Sequence, residues 1–272
     1  MIDKIIGFIG AGNMGSAMIG GILDASLVTT SQIIASAHSA DTLEKIRSRF
    51  SIETTLSNET VAERSDILFL AVKPNKFAEV IPQIAGSIKN SCIVVSIAAG
   101  QPIDAIEQAF GKEIKLVRAM PNTPALVGEA MSALCINSQV TPEEAEEILS
   151  IFNCFGKAEL IPESLMDAVV GVSGSSPAYV YLFIEAMADA AVADGMPRAQ
   201  AYKFAAQSVY GAAKMVLETG SHPAVLKDAV CSPGGTTIEA VAALEQHGFR
   251  NAVISAQRAC SNKSREMSKR ES

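Results

Sequence analysis

The chain has 272 residues and a formal net charge of −7; 49% of its residues are hydrophobic, 5% are aromatic, and Trp is absent. This length is sufficient for two domains or for one large one, and we expect a substantial core of mainly aliphatic side chains. The acidic balance argues against nucleic acid or an anionic membrane as a general partner, and no stretch is long and apolar enough to predict a membrane span.

The first predicted elements are typical of a dinucleotide-binding unit. A short apolar strand over residues 4–9 is followed directly by a G-x-G-x-x-G loop and then by a helix over residues 16–27. This order predicts a tight turn at Gly10, close approach of the backbone to a pyrophosphate at Gly12, and close packing of the helix at Gly15. The predicted cofactor contacts in the loop are Gly10, Ala11, Gly12, Asn13 and Met14.

Further strands follow at regular intervals and alternate with helical segments. Two continuous apolar runs, residues 67–72 and 93–95, are of the kind found in parallel strands that are covered on both faces. Segments between strands, such as residues 40–50 and 76–88, have helical spacing. We therefore expect a Rossmann-type doubly wound α/β sheet over residues 1–163. The predicted strands after the first are residues 32–36, 67–72, 92–97, 114–120 and 132–136.

The end of the second strand bears on the choice of cofactor. Folds that bind NAD usually place Asp or Glu here for the ribose hydroxyls, whereas this chain has Ser36, His38 and Ser39, and no acid before Asp41. The missing carboxylate removes repulsion toward a 2′-phosphate, and the polar side chains can donate hydrogen bonds to it. The pattern favours NADPH, with NADH possible. In the alternative interpretation, Ser36 and Ser39 only cap the next helix.

Short segments after the next strands lie at the edge where open α/β sheets bind their ligands. Lys73 either faces a ligand or is a solvated loop charge, and the small residues 98–100 leave room for a nicotinamide ring. In residues 120–124, two prolines fix the backbone, so that Asn122 and Thr123 can present polar groups to the nicotinamide. A plain rigid turn is the alternative.

The second half of the chain is predicted to be helical. One long helix runs over residues 178–194 after Pro177, and another runs over residues 197–219. The first is apolar around most of its circumference, and such a helix must be buried. We predict an all-α helical domain over residues 164–272 that forms a homodimer with interleaved helices or a higher homo-oligomer. A monomer with an exposed apolar face is the alternative.

A second glycine-rich helix start lies far along the chain, at residues 232–237. Its two glycines allow close backbone approach, and Thr236 and Thr237 supply N–H and hydroxyl donors beside a helix N-terminus. A simple helix cap with a flexible lead-in is the alternative. The first half has an oxidoreductase pattern but no substrate site, which favours the capture of a small acidic substrate at this second helix start.

Cysteine and histidine usage bears on metal binding and location. The five cysteines form no C-x-x-C pair, and the three histidines show no metal-ligand spacing. We therefore expect no metal site, and a protein of the reducing cytoplasm.

A series of motifs spans the chain in a fixed order. The most specific is residues 230–241, Val-Cys-Ser-Pro-Gly-Gly-Thr-Thr-Ile-Glu-Ala-Val. The others are residues 8–15, 70–74, 98–100, 120–124 and 167–174. Together they closely resemble the pyrroline-5-carboxylate reductase family, and the resemblance covers essentially the whole chain.

This resemblance implies a Rossmann domain, an all-α helical dimerisation domain and an active site between them. The implied reaction is the NAD(P)H-dependent reduction of the cyclic imine 1-pyrroline-5-carboxylate to L-proline, with Thr236 next to the ring nitrogen. Whether Thr236 or Thr237 makes that contact stays open. The cofactor residues expected beyond the glycine loop are Ser36, Asn58, Ala71, Val72, Lys73, Pro74, Ile97, Ala98, Ala99 and Asn122. The expected substrate residues are Glu163, Ser232, Gly234, Gly235, Thr236 and Thr237.

Two other functions share part of this pattern. β-Hydroxyacid dehydrogenases resemble the chain at its start, but they carry a catalytic Lys on the first interdomain helix, and residues 171–186 contain no Lys. A non-catalytic NADPH sensor would have no reason to retain a second anion-binding loop. Both are therefore weaker predictions than the imine reductase.

Overall fold

The computed structural model describes residues 2–270, which form two compact units. One unit comprises residues 2–175 together with residues 260–270, and the other is Ser176–Ala259. The division of the sequence after residue 163 stays a prediction. Over the described residues, no helix has both the length and the apolar character needed to cross a membrane.

The first unit contains an eight-stranded sheet with the order β3-β2-β1-β4-β5-β6-β7-β8. Neighbouring strands are parallel except β6 and β7, which are antiparallel. The predicted doubly wound sheet is confirmed. The strands are β1 Ile6–Ile9, β2 Ile33–Ser36, β3 Glu53–Thr55, β4 Ile67–Leu70, β5 Ile93–Ser96, β6 Lys115–Met120, β7 Ala130–Ile136 and β8 Gly156–Leu160.

Helices connect these strands and cover the sheet. Short 3-10 turns at Pro74–Lys76, Thr123–Val127 and Glu163–Leu165 follow strand ends or precede helices, and a π-helical turn, Val170–Gly174, continues the last helix. The helices of this unit are α1 Asn13–Asp24, α2 Ala40–Phe50, α3 Asn58–Arg64, α4 Phe77–Ile84, α5 Ile103–Phe110, α6 Pro142–Phe152 and α7 Met166–Val169.

The continuous apolar strand sequences are explained by two separate core layers, one on each face of the sheet. Phe8 and Phe69 stack on one face with ring centroids 4.8 Å apart. Leu68 and Leu70, the neighbours of Phe69 along β4, pack on the other face. Because successive residues of a strand point to opposite faces, a strand covered on both sides must be apolar at every position.

The second unit is all helical and has very little core of its own. Within Ser176–Ala259, the hydrophobic residues that are buried are Ala188, Ala201 and Ala205. Large side chains such as Leu182 and Phe204 are about two-thirds exposed (67% and 66%). The helices from here on are α8 Ser176–Ala193, α9 Arg198–Thr219, α10 Pro223–Ala229, α11 Thr236–Gln246 and α12 Phe249–Arg270.

Candidate active site

The glycine loop between β1 and α1 has the geometry expected of a nucleotide cradle. Gly10 has a φ of 98°, and a Cβ atom there would lie 2.7 Å from the carbonyl oxygen of Ala71. A Cβ at Gly15 would lie 2.5 Å from the carbonyl oxygen of Gly10. Gly12 differs from both, since a Cβ there would meet no atom within 4 Å. The fold itself therefore requires Gly10 and Gly15, whereas the backbone at Gly12 faces space in which a ligand can lie.

The start of α1 is suited to an anion. Gly12 is its N-cap residue, and no side chain caps it. The N–H groups of a helix's first turn have no acceptor within the helix, and the helix dipole adds a partial positive charge at this end. The loop is held in place because the N–H groups of Gly10 and Ala11 donate to the carbonyl oxygen of Ser36 at 3.0 and 3.2 Å. A pyrophosphate therefore fits between these elements.

A cavity of about 400 Å³ lies at the carboxyl end of β2, and we call it the β2 cavity. Asn58 lies in its wall, where its Nδ2 donates to Gln83 at 3.0 Å. Ser36 lies behind Asn58, fully buried, and donates its hydroxyl to Asn58 Oδ1 at 2.7 Å. Of these two predicted residues, Asn58 lines the cavity, is half-buried and has a second Nδ2 hydrogen for a ligand, whereas the fully buried Ser36 orients it. The β2 cavity is lined by Gly10, Ala37, His38, Leu56, Asn58, Val72, Lys76, Glu79, Val80 and Gln83.

Ser39 caps the next helix, as the alternative interpretation of the serines at the end of the second strand predicts. Its Oγ accepts a hydrogen bond from the N–H of Thr42 and so caps α2. Ser39 is not among the residues that line the β2 cavity, whereas His38 is.

A second cavity, of about 310 Å³, lies at the carboxyl ends of β4, β5 and β6, and we call it the β6 cavity. Val72 lines both cavities, so the two adjoin each other. Most predicted cofactor residues outside the loop line one cavity or the other. The β6 cavity is lined by Met14, Ala71, Val72, Lys73, Pro74, Ile97, Ala98, Ala99, Met120, Pro121, Asn122, Thr123 and Gly174.

Both ends of the Asn122 side-chain amide already form hydrogen bonds within the protein. Its Oδ1 accepts from the N–H of Met131 at 3.0 Å, and its Nδ2 donates to the carbonyl oxygen of Ser173 at 3.1 Å. Asn122 therefore ties the turn after β6 to β7 and to the π-helical turn. This geometry favours the rigid-turn interpretation for the side chain, although Asn122 is among the residues that line the β6 cavity.

Glu163 also has partners within the protein. Its Oε1 accepts from the backbone N–H of Ile103, at the start of α5, at 2.8 Å and from Arg118 at 2.7 Å. The Arg118 side chain is 6% exposed and that of Glu163 is 35% exposed. Next to this pair, burial and the charge of Glu163 raise the pKa of the Cys135 thiol to about 12. Glu163 thus joins β6 to α5.

The second glycine-rich motif forms the start of α11, as predicted. Gly234 has a φ of 68°, Gly235 is the N-cap residue, and no side chain caps the helix. Thr236 is the first helical residue and is exposed, whereas Thr237 is half-buried. The N–H groups of this helix start are therefore available to an anion. Ser232 is exposed and accepts from the N–H of Gly235 at 3.0 Å through its carbonyl oxygen.

Several residues of these sites carry no recognisable sequence motif, and one carries a signal of a different kind. Leu56, Lys76, Glu79 and Gln83 come from segments that approach β2 only in the folded sheet, so no motif marked them. Arg118 did carry a signal, because it is a charged residue in the middle of the predicted strand 114–120. A buried Arg requires a partner, and Glu163 is that partner.

Comparisons with known proteins agree with this geometry. Residues 163–267 match the family model described as pyrroline-5-carboxylate reductase dimerisation, and residues 5–100 match the model described as NADP oxidoreductase coenzyme F420-dependent. A pyrroline-5-carboxylate reductase of Escherichia coli (strain K12) is 54% identical over 98% of this chain and 100% of its own length. One of Methanosarcina acetivorans is 45% identical over 99% of this chain and 100% of its own length. The chain belongs to the pyrroline-5-carboxylate reductase family.

Solved structures of pyrroline-5-carboxylate reductases share the whole fold. The Plasmodium falciparum enzyme, solved with NADP bound, has a TM-score of 0.90 at 34% identity and covers 98% of this chain and 99% of its own. A 3-hydroxyisobutyrate dehydrogenase of Mycobacterium tuberculosis, representing the alternative class, has a TM-score of 0.52 at 11% identity, covers 68% of this chain and 65% of its own, and shows a common fold alone. The comparisons support the pyrroline-5-carboxylate reductase interpretation and not the β-hydroxyacid dehydrogenase alternative.

Proposed function

We propose that this protein is a pyrroline-5-carboxylate reductase, which reduces 1-pyrroline-5-carboxylate to L-proline with NADPH, the last step of proline biosynthesis. The observation that carries the proposal is 54% identity to a reductase of that name over 98% of the chain. The uncapped helix start at Gly12 and the two adjoining cavities provide room for a dinucleotide beside it.

The cofactor roles follow from the two cavities. The loop from Gly10 to Met14 would hold the pyrophosphate, and Asn58 would face the 2′-phosphate end with Ser36 behind it. The β6 cavity, with Lys73 at its rim, would receive the nicotinamide. When bound, the reduced nicotinamide supplies the hydride. NADH would also bind, more weakly, because the glycine loop holds the pyrophosphate that both cofactors share.

The substrate carboxylate would be captured at the start of α11. Gly234 and Gly235 let the backbone approach the acid, Ser232 flanks it, and the N–H groups of Thr236 and Thr237 donate to it.

The C=N carbon accepts hydride readily only when its nitrogen is protonated or strongly hydrogen-bonded. No acid or His stands among residues 232–237, so the basicity of the imine and the hydroxyl of Thr236 would suffice. Orientation of substrate against cofactor would supply most of the acceleration.

For Glu163 we propose an indirect role in place of the substrate contact that the family resemblance implied. One of its carboxylate oxygens already accepts from two donors, Ile103 N–H and the buried Arg118. A carboxylate with these partners holds the end of β6 against the start of α5. It would therefore act on the reaction by positioning the turn that follows β6.

The second unit would form the contact between subunits. Its long helices expose apolar side chains that a monomer would leave in water, and the match to a dimerisation model covers residues 163–267. We propose a homodimer through these helices, with further assembly possible. We also propose a cytoplasmic location, because the five free cysteines suit a reducing compartment.

The proposal is tested by following the oxidation of NADPH and NADH at 340 nm with pyrroline-5-carboxylate, and with its six-membered homologue for comparison. We expect consumption of NADPH that depends on the five-membered imine and yields proline. Absence of consumption with either cofactor would refute the reductase function.

A further inference from the structure

The β2 cavity carries both signs of charge on one wall. Lys76 and Glu79 lie three residues apart at the start of α4, with Nζ and Oε2 2.7 Å from one another. Both line the cavity together with His38. About half of each charged side chain is exposed (52% for Lys76 and 56% for Glu79), so the pair lies in the solvent-facing part of the wall.

The Lys76–Glu79 pair lines the cavity at the end of the second strand, where dinucleotide-binding folds hold the ribose. In doubly wound sheets, the residue that reads the ribose 2′ group lies at the end of the second strand, where this chain has no acid. Among the lining residues of the β2 cavity, all of which the structure describes, Glu79 is the one carboxylate. The cavity therefore does contain an acid, but α4 supplies it instead of β2.

The Glu79 carboxylate is ionised at neutral pH. The hydrogen bond from Lys76 and its positive charge hold the pKa of Glu79 below its usual value, and His38 acts in the same direction. A carboxylate in this state repels a phosphate dianion in the same cavity, and its hydrogen bond keeps the Lys76 ammonium turned toward α4.

We propose that Glu79 limits the preference for NADPH over NADH by opposing the 2′-phosphate, while Lys76 favours it. This inference rests on the proposed nucleotide site and adds a residue that sets its selectivity. The balance between the two side chains determines how strongly the 2′-phosphate is selected. A purely structural role for Glu79, as an acid in the first turn of α4, would change the stability of the helix without distinguishing the two cofactors.

The test measures nucleotide binding directly, by calorimetry with 2′,5′-ADP and 5′-AMP, which differ only in the 2′-phosphate. For Glu79→Gln we expect affinity for 2′,5′-ADP to rise by about threefold to tenfold at low ionic strength, and this gain to shrink as salt is added. Affinity for 5′-AMP should stay within about twofold of the wild-type value, because that ligand lacks the phosphate that Glu79 opposes.

Two further variants complete the design. Lys76→Gln should weaken 2′,5′-ADP and not 5′-AMP, since it removes the attractive charge. Glu146→Gln, in α6 and exposed, removes the same charge outside the cavity and should change neither affinity.

An unchanged ratio of the two affinities in Glu79→Gln would overturn the proposal, and so would an equal change in both. If the wild-type protein binds neither nucleotide, the proposed nucleotide site fails together with this inference. If both nucleotides bind and the ratio does not respond to Glu79, only the role of Glu79 fails, and the reductase function stands.

Discussion

The buried Arg118 forms an ion pair with the partly exposed Glu163, with 2.7 Å between guanidinium and carboxylate, and the same carboxylate oxygen accepts the N–H of Ile103. The pair joins the strand that leads into the β6 cavity to the first turn of α5. Removal of one partner from such a pair leaves a charge without compensation in a poorly solvated place.

We predict that Glu163→Gln lowers the free energy of unfolding by roughly 2 kcal/mol. This is less than the loss typical of fully buried pairs, because about a third of the Glu163 side chain is exposed. Urea denaturation followed by circular dichroism measures this loss. Glu159→Gln, at an exposed position of β8, is the matched control and should be near neutral. If Glu163 instead binds substrate directly, the variant will raise KM for the imine and leave the stability unchanged.

Two substitutions in the glycine loop should separate cofactor binding from stability. Gly12→Ala should fold with an unchanged melting temperature, because its Cβ meets no atom, yet raise KM for NADPH by roughly tenfold, because the methyl group enters the pyrophosphate space. Gly10→Ala should destabilise the protein by roughly 1–3 kcal/mol, because it combines a positive φ with a close contact to the Ala71 carbonyl oxygen. Thermal unfolding and cofactor kinetics on both variants separate the two effects. Normal NADPH kinetics in folded Gly12→Ala would contradict the assignment of the pyrophosphate to this loop.

Substitution of the two threonines at the start of α11 tests whether a hydroxyl there contacts the imine nitrogen. We predict that Thr236→Ala lowers kcat/KM for the imine by roughly tenfold or more, a loss of at least about 1.4 kcal/mol of transition-state stabilisation. Stability should hold, since Thr236 is exposed and no side-chain hydrogen bond caps the helix. Thr237→Ala, measured in parallel, decides which hydroxyl contacts the nitrogen. Unchanged kinetics in the Thr236 variant would remove that residue from the mechanism.

The apolar surface of the second unit predicts the effect of a charge at Leu182. This side chain is 67% exposed in the single chain, and the proposed dimer would bury it. Leu182→Glu should lower the molar mass measured by light scattering, or unfold the protein, because the contact between subunits cannot accommodate an unpaired charge. Lys45→Glu, exposed on α2, is the control and should retain the wild-type mass. A folded Leu182→Glu variant with unaltered mass would place the subunit contact elsewhere.

Much of the fold follows from the sequence because its strongest signals are local. The apolar run at β4 and the glycine loop before α1 identify a parallel sheet and its ligand edge without reference to distant residues. The strands that the sequence analysis missed, β3 and β8, lie at the edges of the sheet. They are polar and partly exposed, so they lack the continuous apolar run that marks a central strand.

The site is harder to predict than the fold, because sequence does not show which polar groups are hydrogen-bonded within the protein. Ser36 and Asn122 have the right polarity and position for cofactor contacts. Ser36, however, bonds Asn58, 22 residues away along the chain, and Asn122 bonds Met131 and Ser173, 9 and 51 residues away. Sequence shows that a polar group is present at a strand end. It does not show whether the folded protein already satisfies that group, and this decides between a ligand contact and a structural one.

The decisive measurement for the reductase function is the steady-state oxidation of NADPH with 1-pyrroline-5-carboxylate, with proline identified as the product. We predict turnover that requires the five-membered imine and proceeds at a higher kcat/KM with NADPH than with NADH. A protein that is folded and oligomeric but consumes neither NADPH nor NADH in the presence of this imine would contradict it.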